Sequence, residues 1–337
     1  MDNFTHSLTG WALGQTGLKN KTRKGLAALI LGANMPDIDV FFSWVAWEPL
    51  ATHRGVTHSL VGGVLLLPPV LALLLWLLDR WQVKRGAEFR SGLPMHAGWL
   101  VVLSYLGALT HPLLDWQNTY AVQFLSPFSN RWFHNDALFI IDVWLWSGLA
   151  FAIWLSRRRE KGGQAHWGRP PRVMLALFVA YVTGNSLLTE YAKDAIQPDR
   201  PEIVFASPEP VLFYRRNIVW RDEGAIRYGA YNPLHSLLSL ESRDAPVPDN
   251  MDDPVARTAM TATPEIADFM NWSVLPMAEV TRGECKAEVR FTDARFARRS
   301  RPAWMQTEDG ENRGSDPFNH VTTVPTGGAE CTGAGQR

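Results

Sequence analysis

An uncharged run of twenty residues at 59–78, SLVGGVLLLPPVLALLLWLL, constrains this chain more than any other feature. A helix needs about 20 apolar residues to cross the core of a bilayer, so the run predicts a membrane span. Pro68 and Pro69 lie inside it, and packing against neighbouring helices accommodates the bend that prolines introduce. Three further apolar segments predict additional spans, at 97–114, 137–155 and 173–188.

Two shorter apolar segments precede these spans, at 4–18 and 25–35. At about 1.5 Å per residue, each reaches only part-way across a membrane. The first carries Gly10, Gly14 and Gly17, which suit close helix packing, so we expect a short hairpin inside the bundle. The predicted fold is therefore mainly α. It is a polytopic membrane helical bundle of about six membrane segments, the first two short, over 1–191.

The charges of the connecting loops predict the orientation of the bundle. Alternate loops are rich in lysine and arginine, and the loops between them carry only Arg54 and Arg131. Basic loops stay in the cytoplasm, so six crossings would leave both termini outside, in a bacterial inner membrane. The basic loops contain Lys19, Lys21, Arg23 and Lys24; Arg80, Lys84, Arg85 and Arg90; and Arg157, Arg158, Arg159, Lys161, Arg169 and Arg172.

The chain changes character after the last apolar segment. Short β-like stretches separated by turn residues predict a small β-rich domain outside the membrane at 192–297. The polar, glycine-rich stretch 298–337 predicts a disordered tail. On the outer side a disulfide between Cys285 and Cys331 is permitted, and the sequence leaves their pairing open. With 33 basic and 33 acidic residues the net charge is zero, which argues against nucleic-acid binding.

Histidines and aspartates gather where the apolar segments begin or end, on the predicted outer face. The topology was predicted from lysines and arginines alone. The position of the histidines and aspartates on one face is therefore independent evidence for a shared site. Ionisable groups at membrane depth are costly and usually functional. The residues concerned are His6, Asp37, Asp39, His53, His58, His111, Asp115, His134, Asp136 and Asp142.

Imidazole and carboxylate form the ligand set of Zn²⁺ and related divalent ions. His111 and Asp115 are four residues apart, so a helix directs both side chains to one point. We therefore predict one or two divalent ions, with Zn²⁺ favoured and Mn²⁺ or Mg²⁺ as alternatives. The predicted ligands are His6, Asp37, Asp39, His58, His111 and Asp115, with His53, His134, Asp136 and Asp142 in a second rank.

Structural roles compete with ligation for several of these residues. His6 could satisfy amides at its own helix end, and Asp37 or Asp39 could cap a following turn. His53 and Arg54 could form an ordinary solvated loop. Interfacial positions are an equal alternative for His134 and Asp136, and Asp142 could pair with Arg131 or with a backbone amide. Ligation is favoured most clearly for His58, His111 and Asp115.

Several motifs resemble a family of bacterial inner-membrane proteins labelled metal-dependent hydrolases, and also labelled LexA-binding. They are THSLTGWALG, NMPDID, HRGVTHS, HPLLDWQNTYAVQFLSPFSNRW and HNDALFIID, in that order, within the first 190 residues or so. The resemblance implies a membrane helical bundle with a divalent-metal site. Its label also makes LexA a partner candidate, although the loops placed in the cytoplasm are short.

A looser similarity connects the chain to the zinc-dependent phospholipase C and P1 nuclease group. Those helical enzymes use an N-terminal ligand, an Asp, a His and an H-x-x-x-D pair. The corresponding order here is His6, Asp37, His58, His111 and Asp115. The N-terminal tryptophan ligand of that group is absent, and no second H-x-x-x-E/D pair follows on a helix.

These residues predict a hydrolase that uses a metal-activated water, with a phosphoester or lipid headgroup as substrate. Asp39 is a candidate for a further ligand, a bridging carboxylate or the general base. The Arg54 guanidinium matches the geometry of a phosphoryl group. Two other classes stay open: a metal-binding membrane protein without turnover, in a regulatory or protein-interaction role, and a transporter. A transporter would need polar residues that continue to the inner face.

Overall fold

A computed structural model describes residues 1–42, 53–196, 201, 203–297 and 318–326. Helices form the N-terminal part of the protein. Short 3-10 turns at Leu18–Lys21, Met35–Phe42 and Val56–His58 accompany them, and a π-helical segment, Leu60–Leu66, leads directly into the third α-helix. The α-helices are α1 (Asn3–Gln15), α2 (Gly25–Asn34), α3 (Leu67–Lys84), α4 (Ala97–Asp115), α5 (Val143–Lys161) and α6 (Arg169–Asp194).

Within this described part of the chain, three helices are long and apolar enough to cross a membrane. They are Leu60–Lys84, Ala97–Asp115 and Arg169–Asp194. They coincide with the spans predicted at 59–78, 97–114 and 173–188. The first continues through Pro68 and Pro69, which lie at the start of α3, where a missing N–H costs least.

The span predicted at 137–155 begins too early. Residues 137–142 are not helical, and α5 starts only at Val143. The Asp142 carboxylate accepts hydrogen bonds from the backbone N–H groups of Trp144 and Leu145, at 3.0 and 2.9 Å. An aspartate that caps a helix in this way lies ahead of its first turn, so Asp142 is not inside the helix as the sequence suggested.

Glycines let α2 pack with its backbone against both α1 and α4. A Cβ atom added to Gly107 of α4 would lie 2.5 Å from the carbonyl oxygen of Leu29 in α2. One added to Gly32 of α2 would lie 2.7 Å from the carbonyl of Ser104, and one on Gly10 of α1 would lie 2.6 Å from Leu29. Small residues at these positions therefore set the spacing of the three helices.

The chain divides into two compact units. The first comprises His53–Ala192, Ser207–Arg216 and the described residues that precede them. Ser207–Arg216 belongs to it because the Arg216 guanidinium is fully buried against α6, where it donates to Thr189 Oγ1 and to Asn185 Oδ1 at 3.1 and 2.8 Å. The second unit comprises the described parts of Lys193–Ala206 and Asn217–Arg337.

Strands follow the helices, as the sequence predicted for the C-terminal part. A five-stranded sheet has the order β1-β2-β3-β4, with β5 also paired to β3, and a second sheet has the antiparallel order β6-β7-β8. The strands are β1 (Val204–Pro208), β2 (Arg216–Asp222), β3 (Ala225–Tyr231), β4 (Ser242–Arg243), β5 (Val247–Pro248), β6 (Pro276–Arg282), β7 (Lys286–Asp293) and β8 (Asn319–Pro325). Helices α7 (Pro254–Ala259) and α8 (Pro264–Trp272) precede β6.

Strand β8 lies within the stretch 298–337, which the sequence predicts as a disordered tail. It pairs with β7 along its whole length, from Asn319 opposite Thr292 to Pro325 opposite Lys286. Backbone pairing with a neighbouring strand compensates for the low hydrophobicity of β8, so the prediction is wrong for these seven residues. Cys285 is disulfide-bonded, and Cys331 lies outside the described residues.

Replacing Gly107 with alanine should destabilise the protein by about 1–3 kcal/mol, because the new methyl group meets backbone atoms that cannot rotate away. Thermal unfolding of the full chain in detergent measures the change. Gly98→Ala in the first turn of α4 is the matched control, since its added Cβ meets nothing within 4 Å. Equal melting temperatures for the two variants would contradict the close contact of α2 and α4.

Candidate metal centre

Four segments of the first unit bring eight polar side chains into one buried cluster, which we call the metal centre. The segments are α1, the turn after α2, the turn before the π-helical segment, and the C-terminal end of α4. None of the eight residues exposes more than 8% of its surface. They are His6, Asp37, Asp39, His53, Arg54, His58, His111 and Asp115.

Ring nitrogens of three histidines surround one oxygen of Asp37. The Nε2 atoms of His58, His111 and His53 lie 3.0, 3.4 and 3.5 Å from Asp37 Oδ1. Two of the same nitrogens also approach Asp115 Oδ2, at 3.4 Å for His111 and 3.6 Å for His58. The centre of the cluster is therefore made of two imidazole nitrogens and two carboxylate oxygens.

The outer nitrogens of these rings have partners that fit the tautomer in which the inner nitrogens carry no proton. His111 Nδ1 donates to the carbonyl of Ala33 at 2.7 Å, and His53 Nδ1 donates to Asp39 Oδ1 at 3.1 Å. Thr57 gives its single hydroxyl proton to Asp39 Oδ2 at 2.6 Å, so its oxygen accepts from His58 Nδ1 at 3.1 Å. A neutral imidazole protonated at Nδ1 presents a lone pair at Nε2.

In that tautomer, lone pairs of imidazole and carboxylate face each other in a buried space, an arrangement that a cation between them would stabilise. Around a tetrahedral Zn²⁺ with ligand distances of about 2.0–2.1 Å, neighbouring ligand atoms lie about 3.3 Å apart. The four separations among His58, His111, Asp37 and Asp115 are 3.0–3.6 Å. The residues present thus fit a divalent ion.

Two histidines flank this central set on different sides. The His6 ring stacks on His111, with 3.8 Å between ring centroids, and His6 Nε2 lies 3.6 Å from Asp115 Oδ1. Neither ring nitrogen of His6 has a hydrogen-bond partner among the described residues. His53 lies beside Asp37 and Asp39 instead. Three overlapping groups result, each with ligand atoms within 4.8 Å of one another: His6, His111 and Asp115; Asp37, His58 and His111; and Asp39, His53 and His58.

Burial and charge set the protonation of the two central groups that lie outside the candidate spans. Burial lowers the pKa of His58 to about 4, although the nearby Asp37 carboxylate opposes the shift. Burial raises the pKa of the Asp37 carboxyl, but the rings of His111 and His58 more than reverse this and hold it well below its usual range. A neutral imidazole and an ionised carboxylate are the forms that bind metal.

Arg54 is the cation of the cluster, and it is buried rather than solvated. Its Nη2 lies 3.5 Å from Asp115 Oδ1, an oxygen that the amino group of Met1 also contacts. Its Nη1 donates to Asn118 Oδ1 and to the carbonyl of Ala121, at 3.0 and 3.3 Å. The solvated-loop alternative for Arg54 and His53 is therefore wrong.

Three second-rank candidates lie apart from the metal centre. His134 pairs with Asp136 at 3.1 Å, and the backbone carbonyl of Asp136 accepts from Thr189 Oγ1. Asp142 caps α5 and accepts a hydrogen bond from Tyr181 Oη at 2.9 Å. Of the second-rank residues, only His53 joins the cluster.

Sequence reasoning missed the outer partners of the histidines. The carbonyl of Ala33 gave no signal, because any residue type supplies one. Thr57 and Asn118 carried a weak signal, as polar residues next to His58 and three residues after Asp115. Their roles depend on contacts between segments that are distant along the chain.

The fold and this buried cluster define a class, a helical membrane protein with an imidazole–carboxylate centre. Residues 1–192 match the family described as YdjM inner membrane protein, and the chain belongs to this family. It is also similar to YfhP of Bacillus subtilis (strain 168), which is named as an uncharacterized protein. The two are 24% identical over 313 residues, which cover 88% of this chain and 87% of YfhP. No solved structure matches the chain.

Changing Asp39 to asparagine should weaken divalent-metal binding by about 10- to 100-fold, because Asp39 orients His53 and Thr57. Asp37→Asn should weaken it further, since Asp37 touches three inner nitrogens. Metal titration of the purified protein measures both effects.

Asp142→Asn is the matched control, because asparagine also caps helices and Asp142 lies outside the metal centre. Equal losses of affinity in all three variants would contradict the ranking of these aspartates.

Proposed function

We propose that this protein is a membrane-embedded metal-dependent hydrolase that cleaves phosphoester bonds at the outer face of the inner membrane. One observation carries the proposal: the inner nitrogens of His58 and His111 face the carboxylates of Asp37 and Asp115 in a buried space, 3.0–3.6 Å away. A hydrolytic metal site requires such acceptors. Membership of an inner membrane protein family supports the location in the membrane.

His58, His111, Asp37 and Asp115 would hold the ion, and His6 and His53 would complete its surroundings or bind a second ion. Two nitrogens and two oxygens favour Zn²⁺, and the carboxylates also allow Mn²⁺ or Mg²⁺. A bound ion of this kind supplies a water whose pKa falls to about 7.

Arg54 favours a phosphoester over a neutral ester or amide as the substrate. Its Nη2 faces the Asp115 carboxylate, while Asn118 and the Ala121 carbonyl fix its other terminal nitrogen. A guanidinium held in this way can bind two oxygens of a phosphoryl group. A lipid headgroup satisfies both this preference and the membrane location.

The Asp39–His53 pair is the candidate for proton transfer. Its 3.1 Å hydrogen bond fixes the His53 ring, whose Nε2 points toward Asp37. The carboxylate can stabilise a positive charge on that ring, so His53 can accept a proton at Nε2. This role replaces direct ligation as the simplest function for Asp39.

The proposed topology has six crossings with both termini outside. Three candidate spans and the alternation of basic loops support it, and so does the disulfide at Cys285, which is typical of an oxidising compartment. Membrane lipids are then the immediate partners. An interaction with LexA would have to use the short basic loops.

Purified protein loaded with Zn²⁺ or Mn²⁺ should hydrolyse members of a panel of phosphomonoesters and phosphodiesters, lipid headgroups included. Arg54→Gln should lower kcat/KM by about 10²- to 10³-fold while the metal content stays unchanged, since Arg54 stabilises the charge of the phosphoryl group rather than the ion. Elemental analysis and steady-state kinetics measure both quantities.

Arg131→Gln is the control, an exposed arginine of an outer loop in the proposed topology, and it should retain full activity. A stoichiometrically loaded protein that turns over no phosphoester would overturn the enzyme proposal in favour of a non-catalytic metal-binding role.

Two serines test the topology, because serine and cysteine are nearly isosteric. In a Cys285→Ser, Cys331→Ser background, Ser239→Cys in the C-terminal part should react with a membrane-impermeant maleimide in spheroplasts. Ser91→Cys, which follows the basic stretch 80–90, should react only after lysis. Both serines are exposed. The reverse labelling pattern would place the C-terminal part in the cytoplasm.

A further inference from the structure

A cavity with basic side chains lies at the opposite end of the helical unit from the metal centre. Helix α4 carries His111 and Asp115 at its C-terminal end and Trp99 near its start, and twelve residues of α-helix span about 18 Å. The cavity has a volume of about 510 Å³. Its lining includes Lys19, Arg23, Lys24, Leu26, Leu93 and Glu160.

The cations around this cavity exceed the carboxylates that neutralise them. Lys19 pairs with Glu160, and Arg23 binds Asp79 with two contacts of 2.7 and 2.8 Å. Lys24 instead donates to the neutral amide of Gln82, and among the described residues no carboxylate pairs with it. One cation of the lining is therefore left to attract an anion.

A second cation without a described carboxylate partner ends the turn Leu18–Lys21, which contributes Lys19 and Asn20 to the lining. The Lys21 ammonium lies over the Trp99 ring, 5.1 Å from its centroid, and no described carboxylate pairs with it either. The surplus charge of the region thus suits a ligand with one or two negative charges.

The apolar surroundings of the cavity point to a lipid rather than to a soluble anion. Leu26, Ala27 and Leu93 form part of its wall. Helix α3 supplies Gln82 to Lys24 and leaves Leu78 and Trp81 exposed on a candidate membrane span. An anion seated here would have acyl chains beside it along that span.

Aromatic rings hold the basic side chains at the edge of the apolar region. The Arg23 guanidinium and the Lys24 ammonium both lie over the Phe89 ring, at 4.3 and 4.9 Å from its centroid. Long basic side chains adopt this arrangement where their stems are apolar and their charges meet lipid headgroups.

We propose that this cavity binds the headgroup phosphate of an anionic phospholipid, with Lys24 as the principal contact and Lys21 beside it. Basic pockets between membrane helices bind such headgroups because the lipid phosphate replaces the missing counter-ion. The site does not depend on the metal centre or on hydrolysis.

The test is the melting temperature of the full chain in nonionic detergent, titrated with dioleoylphosphatidylglycerol or with dioleoylphosphatidylcholine. The anionic lipid should raise the melting temperature by about 3 °C or more, and the zwitterionic lipid should raise it clearly less. In Lys24→Gln the shift with phosphatidylglycerol should fall below half of the wild-type value. Inorganic phosphate at the same concentration should produce no shift.

Lys161→Gln is the matched control, an exposed lysine at the end of α5 that is not part of the cavity. It should retain the full response. An equal loss of the melting-temperature shift in Lys161→Gln would contradict a specific site at Lys24 and would indicate diffuse charge attraction. An equal shift with inorganic phosphate would contradict the assignment of the ligand as a lipid. Equal shifts with both lipids in the wild type would exclude recognition of the anionic headgroup.

Discussion

The structure depends most on one electrostatic constraint. Several hydrogen-bond acceptors face each other in a buried space and need a positive charge between them. Asp37 and Asp115 are buried there, and the histidines around them have outer partners that fit protonation at Nδ1. Burying such groups without compensation costs several kcal/mol for each charge. A divalent ion would relieve this repulsion, so the same feature that would destabilise the folded chain supports the function that we propose.

Close helix packing brings these acceptors together. The glycine contacts between α2 and α4 bring the carbonyl of Ala33 within 2.7 Å of His111 and bring Asp37 beside the same ring. The turn that carries His58 packs in a similar way. Gly62 and Gly63 of the π-helical segment lie against the carbonyls of Val56 and Thr57, where a side chain would collide. Interruptions of helical geometry of this kind often occur at functional sites.

The sequence predicted which residues form the cluster better than it predicted which partners each of them meets. His111 and Asp115 share a helix, so their proximity follows from local geometry. His53 was ranked lower because nothing local distinguishes a buried loop from a solvated one. His134, Asp136 and Asp142 have the same chemistry and the same predicted depth, yet His134 lies beside Asp136, and Asp142 caps a helix. Residue type and depth select candidates, whereas partner choice depends on contacts between segments.

The sequence by itself determined three of the four long apolar spans, the placing of histidines and aspartates near the ends of the apolar segments, and the change to β-structure after the last span. These features follow from hydrophobicity and local periodicity, which each segment carries alone. Only the tertiary structure decided that Asp39 orients His53, that Arg54 is buried beside Asp115, and that β8 belongs to a sheet. Each of these depends on the approach of segments far apart along the chain, and a side chain acquires its role from the partner that it meets there.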